Sequence, residues 1–387
     1  MAIPLKYNVR SLLVRRVSTA MTAGGIALVV AVFVIVMALV AGLNSAIADT
    51  GEPDNLIVLR RGATTETYSA IQLDQFDAMR YLPQIRREPD GRVDASPELA
   101  VQLAMERAGS GTDYIVVRGV LPIALKVHDK VKIIEGRMFK PSVNEVIVGK
   151  GLVGRYKHCK IGSTLRFGRG KWKVVGIFSA GGSSFESEVW ADLHNVQDDA
   201  QRGAYYGSVR LKLKPGTDVP ALIRRIADDP RINLQAQTEP DYYKDQAIVA
   251  NRMRALGMVV AIIMAIGAIF GAMNTMYAAV SSRTPEIATL RALGFAPAAV
   301  MTSFLVESLV LALGAGAIGI LLALPIDGFS TTFGNFVTFS TLAFSFRVTP
   351  TIIIEAIVFA AVMGLVGGWL PARQAMRLTV ADALRRV

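Results

Sequence analysis

The chain has 387 residues, of which 52% are hydrophobic and only 19% are charged, with a mean hydropathy of +0.40. This composition is too apolar for an ordinary soluble protein, so the excess must be concentrated in membrane-spanning segments. The formal net charge of +11 would by itself suggest a nucleic-acid partner, and the distribution of that charge decides whether it does.

Four apolar runs are long enough to cross a hydrocarbon core of about 30 Å as helices. The predicted spans are residues 20–43, 255–280, 298–326 and 352–370. The third and fourth each carry one carboxylate, Glu307 and Glu355, near an end. We expect both side chains to reach toward lipid headgroups, with contact to a partner span as the alternative for Glu307.

The first span has some features of a cleaved signal peptide. Arg15 and Arg16 precede it, and the small residues at 46–48 resemble a cleavage site. Its apolar run is about twice as long as the hydrophobic region of a signal peptide, which is roughly 7–15 residues. We therefore interpret the segment as an uncleaved anchor.

The positions of Lys and Arg predict the topology, because cytoplasmic flanks of membrane spans are enriched in them. Ten such residues lie next to the spans, in the N-terminal segment, in the segment between the second and third spans and in the C-terminal tail. They are Lys6, Arg10, Arg15, Arg16, Arg283, Arg291, Arg373, Arg377, Arg385 and Arg386. Only Arg347 lies between the third and fourth spans. Both termini are thus predicted to be cytoplasmic, with the segment from 44 to about 254 on the outer side. Removing these ten charges leaves a net charge of about +1, which argues against nucleic-acid binding.

The predicted fold is an α-helical membrane protein with four transmembrane helices, plus an α+β extracytoplasmic domain of two lobes inserted between helices 1 and 2. The predicted segments are a cytoplasmic amphipathic N-terminal segment (1–19), transmembrane helix 1 (20–43), the extracytoplasmic domain (44–254), helix 2 (255–280), a short cytoplasmic helix (281–297), helix 3 (298–326), an extracytoplasmic loop (327–351), helix 4 (352–370) and a cytoplasmic tail (371–387).

The outer segment has a mixed pattern. Predicted strands are residues 55–59, 99–105, 114–120, 207–213 and 232–236, and predicted helices are 73–82 and 219–228. Residues 130–190 are rich in strand patterns and Gly-marked turns, so a βαβ-like unit encloses a β-rich insertion. Residues 181–184 read as a mobile loop.

Candidate catalytic and metal-binding residues form no recognised motif. The three histidines are far apart in the sequence: His128, His158 and His194. Ser183 and Ser184 lie near two glutamates, but no G-x-S-x-G motif is present and a polar loop is the simpler interpretation. Cys159 is the only cysteine, which excludes an intramolecular disulfide. The sequence also contains no G-x-x-x-x-G-K-[ST] phosphate loop, so ATP is not bound by that route.

A short helix is predicted in the polar segment 281–297. Pro285 suits a first helical turn, Ser282 or Thr284 is placed to cap it, and Gly294 suits the C-terminal stop. Four residues are predicted to share one side of this helix: Ile287, Leu290, Arg291 and Leu293. A solvated loop is the alternative, whereas two caps and an apolar side favour a helix that fills a groove of a soluble partner.

Residues 271–295 (GAMNTMYAAVSSRTPEIATLRALGF) resemble the junction between the second and third spans of the MacB/FtsX-type ABC transporter permeases. Residues 370–385 resemble the C-terminal end of that family, and residues 136–178 are similar to its extracytoplasmic domain. The resemblance implies a coupling helix that sits on an ATPase. The implied coupling residues are Arg283, Thr284, Glu286, Ile287, Leu290, Arg291 and Gly294.

The resemblance also implies how such a chain works. It is a non-catalytic permease, with ATP and Mg²⁺ bound by a separate ATPase chain, expected here because the sequence begins close to its first span. Movements driven by ATP pass to the outer domain without substrate crossing between the spans. The branch stays open between export of a macrolide or peptide, lipoprotein extraction, glycolipid export and FtsX-like activation of a cell-wall hydrolase. A periplasmic adaptor and an outer-membrane channel are further candidate partners.

Small residues on the second span favour close helix packing in the bilayer. Gly267 and Gly271 form a G-x-x-x-G pair, and Asn274 follows one turn later. We expect this face to contact another helix of the same chain or of a second permease, either a copy of itself or a homologue.

Overall fold

The computed structural model describes residues 16–48, 50–246, 248–335 and 340–377. These described residues form two compact units. Of the described residues, 16–41, 252–329 and 346–377 belong to the helical unit, and 42–48, 50–246, 248–251, 330–335 and 340–345 belong to the sheet unit. Most of the predicted amphipathic segment 1–19 and of the tail 371–387 lies outside the described residues.

The elements follow one another in a fixed order along the chain. They are α1 (Arg16–Ala48), β1 (Asn55–Arg60), α2 (Leu73–Arg80), β2 (Ala95–Glu106), β3 (Thr112–Val120), α3 (Ala124–Val127), β4 (Lys132–Gly136), β5 (Glu145–Gly149), β6 (Thr164–Phe167), β7 (Gly170–Ser179), β8 (Glu188–Asp192), α4 (Leu193–Asp199), β9 (Ser208–Lys212), α5 (Val219–Asp228), β10 (Leu234–Thr238), α6 (Glu239–Gln246), α7 (Ile248–Ser282), α8 (Thr284–Ala292), α9 (Pro297–Ala323), β11 (Ser330–Asn335), β12 (Ser340–Ser345) and α10 (Pro350–Arg377).

Four helical stretches of the described chain are long and apolar enough to cross a membrane, in agreement with the four predicted spans. They are Val17–Ala48, Arg252–Ser282, Pro297–Ile326 and Pro350–Arg377. Each is longer than the apolar run that predicts it, because backbone hydrogen bonding continues past the last apolar residue.

Close backbone approach holds the helical unit together. A Cβ placed on Gly316 of α9 would lie 2.7 Å from the Cβ of Ala360 on α10, and one on Gly364 would lie 2.5 Å from the Cβ of Ala312. Only glycine therefore permits these two helices to pack at this distance. Of the four long helices, α1 is the most enclosed: 67% of its most apolar stretch is buried, against 17% for α7.

The sheet unit is built on one mixed sheet of ten strands. Its order is β10-β1-β9-β2-β3-β8-β5-β7-β4, and β6 pairs with β7. Strands β3 and β8 are parallel, as are β5 and β7, whereas the other pairs are antiparallel. The sheet unit is thus a mixed α/β domain, as the sequence predicts.

Two hydrophobic clusters support this sheet. One surrounds Val117, Trp172 and Val189, and the other surrounds Leu56 and Met79. The predicted helix 219–228 matches α5, whereas β10 lies two residues later than the predicted strand 232–236. Two clusters under one sheet are compatible with two lobes, but the division into lobes stays a prediction.

A hairpin, β11–β12, lies in the segment predicted only as an extracytoplasmic loop, residues 327–351. It belongs to the sheet unit, where the Arg155 guanidinium donates to the Thr331 carbonyl at 3.2 Å. The Ala343 amide donates to Ser187 Oγ at 2.8 Å. A short hairpin is marginal alone, and these distant residues supply the packing that local sequence does not reveal.

The segment predicted as a mobile loop, residues 181–184, is held by a carboxylate. Glu186 Oε1 accepts hydrogen bonds from Ser179 Oγ at 2.7 Å, from the Ala180 amide at 2.8 Å and from the Gly182 amide at 3.0 Å. Ser183 is buried. Glu186 thus links the two ends of this segment by hydrogen bonds, and the mobility of residues 181–184 stays a prediction.

Candidate functional site

Helix α8 is the short helix that the sequence predicts in segment 281–297. Pro285 stands in its first turn. At its end the Phe295 amide donates to the Leu290 carbonyl at 3.1 Å, and the Gly294 amide donates to the Arg291 carbonyl at 3.1 Å. These two bonds, with φ of +92° at Gly294, form a Schellman motif. The predicted stop at Gly294 is confirmed.

The predicted N-terminal cap is wrong. Arg283 is the N-cap residue and makes no side-chain capping bond. The Thr284 hydroxyl instead donates backwards to the Ser281 carbonyl at 2.8 Å, and the Ser282 hydroxyl donates to the Ala279 carbonyl at 3.1 Å. Both hydroxyls thus bond to the preceding helix, because α7 continues to Ser282 and α8 begins one residue after Arg283.

Arg283 ties the start of α8 to the neighbouring helix α9. Its Nη1 lies 2.8 Å from a Glu307 carboxylate oxygen, and its Nε lies 3.0 Å from Glu286. The guanidinium carbon also lies 5.1 Å from the centre of the Phe304 ring. The Arg283 side chain is 10% exposed and that of Glu307 is 5% exposed, so this ion pair is largely removed from solvent.

The expectation that Glu307 reaches toward lipid headgroups is therefore wrong. Its carboxylate meets Arg283, 24 positions earlier in the chain. A buried carboxylate needs a cation with good geometry to offset its desolvation, and Arg283 supplies one. Glu355 differs, since its carboxylate is 40% exposed and lies 4.0 Å from Arg254.

The rest of α8 has one packed face and one open face. Ile287 is 2% exposed and belongs to a cluster with residues from α7, α9 and α10. The other members of that cluster are Met276, Val280, Val300, Phe304, Ala372 and Ala375. Leu290 and Arg291 are half-buried, whereas Leu293 is 72% exposed. The predicted common side of Ile287, Leu290, Arg291 and Leu293 is thus not observed, because Ile287 faces inward and Leu293 outward.

The predicted helix-packing residues lie on an open face. Gly267, Gly271 and Asn274 are all exposed, and a Cβ on either glycine would meet no atom of the described chain within 4 Å. Packing of this face within the described part of the chain is therefore not observed.

A cluster of buried charges in the sheet unit was missed by sequence reasoning. Arg118 and Arg210 are 3% and 0% exposed. They meet four buried glutamates: Glu66, Glu98, Glu188 and Glu239. We call these six residues the charge network. The available signal was a charged residue within an apolar strand pattern, as at Arg118 in YIVVRGV and Arg210 in GSVRLKL.

The charge network fastens helix α6 to the sheet. Arg210 Nε lies 2.6 Å from Glu239, the first residue of α6, and Arg210 Nη2 lies 3.1 Å from Tyr243 Oη. Burial acts to raise the pKa of Glu66, but Arg118 and Arg210 outweigh it and lower that pKa to about 2. The two guanidinium groups therefore keep the Glu66 carboxylate charged.

The remaining candidate residues are the histidines and Cys159. Across the described ranges, no group of three or more His, Cys, Asp or Glu could hold a metal ion. His128 is buried, with Nε2 2.7 Å from Glu98, so it belongs beside the charge network. Burial raises the pKa of the Cys159 thiol to about 12, which keeps it protonated.

Two family models match the chain. The MacB-like periplasmic core domain matches residues 19–229, and the FtsX-like permease C-terminal domain matches residues 258–380. The first match includes most of α1 and most of the sheet unit's main segment, and the second includes most of the last three long helices; residues 230–257 lie outside both matches.

Individual relatives agree. The macrolide export ATP-binding/permease protein MacB of Burkholderia thailandensis is 29% identical over 55% of this chain. The pyoverdine export ATP-binding/permease protein PvdT of Pseudomonas entomophila is 26% identical over 97% of it. The alignments span only 33% and 58% of these relatives' own lengths.

A solved structure, the periplasmic region of MacB from Actinobacillus actinomycetemcomitans, aligns with a TM-score of 0.37 at 11% identity. The alignment covers 51% of this chain and 94% of that one. The family models establish the family, since the MacB-like periplasmic core domain alone matches more than half of the chain. The chain belongs to the MacB/FtsX-type family of ABC transporter permeases.

Proposed function

We propose that this chain is the permease subunit of an ABC exporter and that a separate ATPase chain docks on α8. The observation that carries the proposal is the way α8 is held. The Arg283–Glu307 ion pair and the cluster around Ile287 fix it to three long helices, whereas Leu293 is left in the open. A short helix that is both anchored and exposed suits the transfer of force from a soluble partner.

Force applied to α8 would reach several helices together. Ile287 packs in one cluster with Val280 of α7, Val300 of α9 and Ala372 of α10. Packed side chains respond to displacement with discrete shifts, not gradual deformation. We infer that ATP-driven movement of the partner is passed on by mechanotransmission, and that ATP and Mg²⁺ are bound on the partner and not here.

Two permease chains are proposed for each assembly. ABC ATPases close two nucleotide sites between two halves, and one α8 offers a single docking helix. The exposed face of Gly267, Gly271 and Asn274 supports contact with a second copy or a homologous permease within the bilayer. We favour the homodimer.

The substrate class is proposed as lipophilic or peptide. Relatives named for macrolide export and pyoverdine export support export, and they do not favour the FtsX-like role of activating a cell-wall hydrolase. We place the chain in the bacterial inner membrane, with both termini in the cytoplasm and the sheet unit outside it. An adaptor and an outer-membrane channel would complete the route across an outer membrane.

The docking proposal is tested by reversing the chemistry of the open face of α8. We expect Leu293→Asp to insert normally but to lose co-purification with the ATPase and stimulation of its ATP hydrolysis. Leu293→Met is the matched control, because it keeps an apolar side chain of similar size. Normal co-purification and stimulation by Leu293→Asp would overturn the proposal.

Mechanotransmission is tested separately by inserting two glycines after Ala255 in α7. The insertion weakens the helix between α8 and the sheet unit, since each glycine costs about 1 kcal/mol of helix stability. We expect ATPase docking and basal hydrolysis to persist while export is lost. Export at the normal rate would instead favour a route within the bilayer.

A further inference from the structure

A groove of about 610 Å³ lies on the surface of the sheet unit, outside the charge network. Its walls come from the end of α2, from the turn before β2 and from the segment between β3 and β4, which includes α3. Pockets for small molecules have volumes of about 300–1,000 Å³, so the groove is of suitable size for one.

The lining of the groove is largely apolar. The apolar side chains that line it include Phe76, Val93, Leu121 and Ile123. Tyr81 also lines the groove and is 61% exposed. Aromatic side chains bury a large apolar area when they are covered. An exposed tyrosine beside an apolar surface thus offers a ring or an acyl chain a favourable place to bind.

The charges of the groove have a single sign. Thirteen of the described residues line it, and they include four cations and no carboxylate. The cations are Arg80, Arg87, Arg92 and Lys126. Three of these have a carboxylate partner outside the lining. Asp77 lies 3.0 Å from Arg80, Asp90 lies 2.5 Å from Arg92, and Glu88 lies 3.2 Å from Lys126.

Two arginines of the lining have hydrogen-bonding capacity beyond their contacts with the described residues. The Arg87 guanidinium donates to the Tyr81 carbonyl at 3.4 Å. Arg80 Nε is buried and meets no hydrogen-bond acceptor among the residues that the structure describes. The Arg80 guanidinium also lies 5.0 Å from the centre of the Tyr81 ring. A buried donor without an acceptor is costly, and an anionic oxygen is the acceptor that a guanidinium binds best.

We propose that this groove is a binding site for a small anionic amphiphile, a molecule with one carboxylate, sulfonate or phosphate group and an apolar ring or chain. The anionic group binds Arg80 and Arg87, and the apolar part covers Tyr81 and the surface formed by Leu121 and Ile123. The inference is independent of the proposed transport role, because binding at this groove requires no ATPase.

The test uses the full chain in nanodiscs of neutral phosphatidylcholine and the probe 2-naphthalenesulfonate. Saturable binding is measured by isothermal titration, with empty nanodiscs subtracted to remove partition into lipid. We expect the neutral analogue 2-naphthalenemethanol to bind at least tenfold more weakly. Equal binding of the two probes would overturn the proposal, since the cations would then have no role.

Variants locate the site. Arg80→Gln with Arg87→Gln is expected to weaken the sulfonate at least tenfold, since two charge-assisted contacts are removed. Arg231→Gln is the matched control, because Arg231 is a surface arginine outside the groove lining, 76% exposed. Lys126→Gln and Tyr81→Ala, which change other walls, provide a second test that does not depend on Arg80. Unchanged binding in both sets, or an equal loss with Arg231→Gln, would place the probe elsewhere and overturn the proposal.

Discussion

Replacing Arg210 by methionine should destabilise the sheet unit more than any surface charge change. Arg210 is fully buried, and its guanidinium lies 2.5 Å from Glu98, 2.6 Å from Glu239 and 2.8 Å from Glu66. Methionine fills most of the space of the arginine stem but supplies neither charge nor donors. Glu66 and Glu98 then keep Arg118 as their remaining guanidinium. Within the described part of the chain, Glu239 keeps only hydrogen bonds from the Glu52 amide and the Asn55 side-chain amide.

The expected cost follows from the burial of these groups. Removing one partner from a buried ion pair costs about 3–5 kcal/mol, because an uncompensated charge is left in a medium of low dielectric constant. At about 1.4 kcal/mol for each factor of ten, the opening equilibrium of the affected strands should rise by roughly 10²- to 4 × 10³-fold. Glu98→Gln added to Arg210→Met should cost less than the sum of the single changes, because it removes one of the stranded charges.

Hydrogen exchange on the full chain measures this effect. We expect amides of β1 and β9, which pair next to each other, to exchange faster by that factor in Arg210→Met. Arg231→Met is the control, since the Arg231–Asp229 pair lies on the surface and its loss should change little. Exchange rates in Arg210→Met that match those of Arg231→Met would refute the reasoning, as would strict additivity with Glu98→Gln.

Three further predictions concern the helical unit and acid stability. Glu307→Lys should disrupt assembly or ATPase coupling, because it places two cations together. The exchanged pair Arg283→Glu with Glu307→Lys should restore part of the loss. An absence of any rescue in co-purification would argue against a direct ion pair. Gly364→Val should lower the melting temperature of the helical unit, because the larger side chain forces α9 and α10 apart. Gly267→Val should leave the melting temperature unchanged and weaken only self-association, as measured by native mass spectrometry. Equal effects of the two variants on the melting temperature would contradict this packing. The pKa of Glu66 is about 2 in the folded state against 4.5 for an unperturbed glutamate. Its contribution to stability is therefore present above about pH 4.5 and is lost as the pH falls toward 2. Tryptophan fluorescence during acid titration should report this loss of stability, and Glu66→Gln should make stability less dependent on pH between about 4.5 and 2.

Much of the local structure could be predicted from the chain itself. The four spans, the short helix with its stop at Gly294 and the helix 219–228 all depend on residues within a few positions of one another. The N-terminal cap of α8 could not be predicted, because Ser282 and Thr284 are both acceptable cap residues. The structure uses neither, because α7 continues to Ser282 and Arg283 is therefore the N-cap residue of α8.

The candidate site could be predicted in position but not in its contacts. Sequence reasoning places Arg283 and Ile287 on one short helix, and the structure agrees on that helix. Their partners come from elsewhere, since Glu307 lies on α9 and the cluster around Ile287 includes residues of α10. The same limit applies to the groove, whose four cations come from three separate segments of the chain.

The sequence by itself determined the membrane spans, the placement of a mixed domain after the first of them and the family to which the chain belongs. Apolar length, turn residues and motif spacing are local properties, so no folded partner is needed to read them. Only the tertiary structure decided which charges meet, as with Arg210 and Glu66, which are 144 positions apart. It also decided which glycines are enclosed, since Gly364 packs against α9 while Gly267 lies open. Such contacts depend on chain closure over long separations, where many pairings satisfy the same local pattern and only burial selects among them.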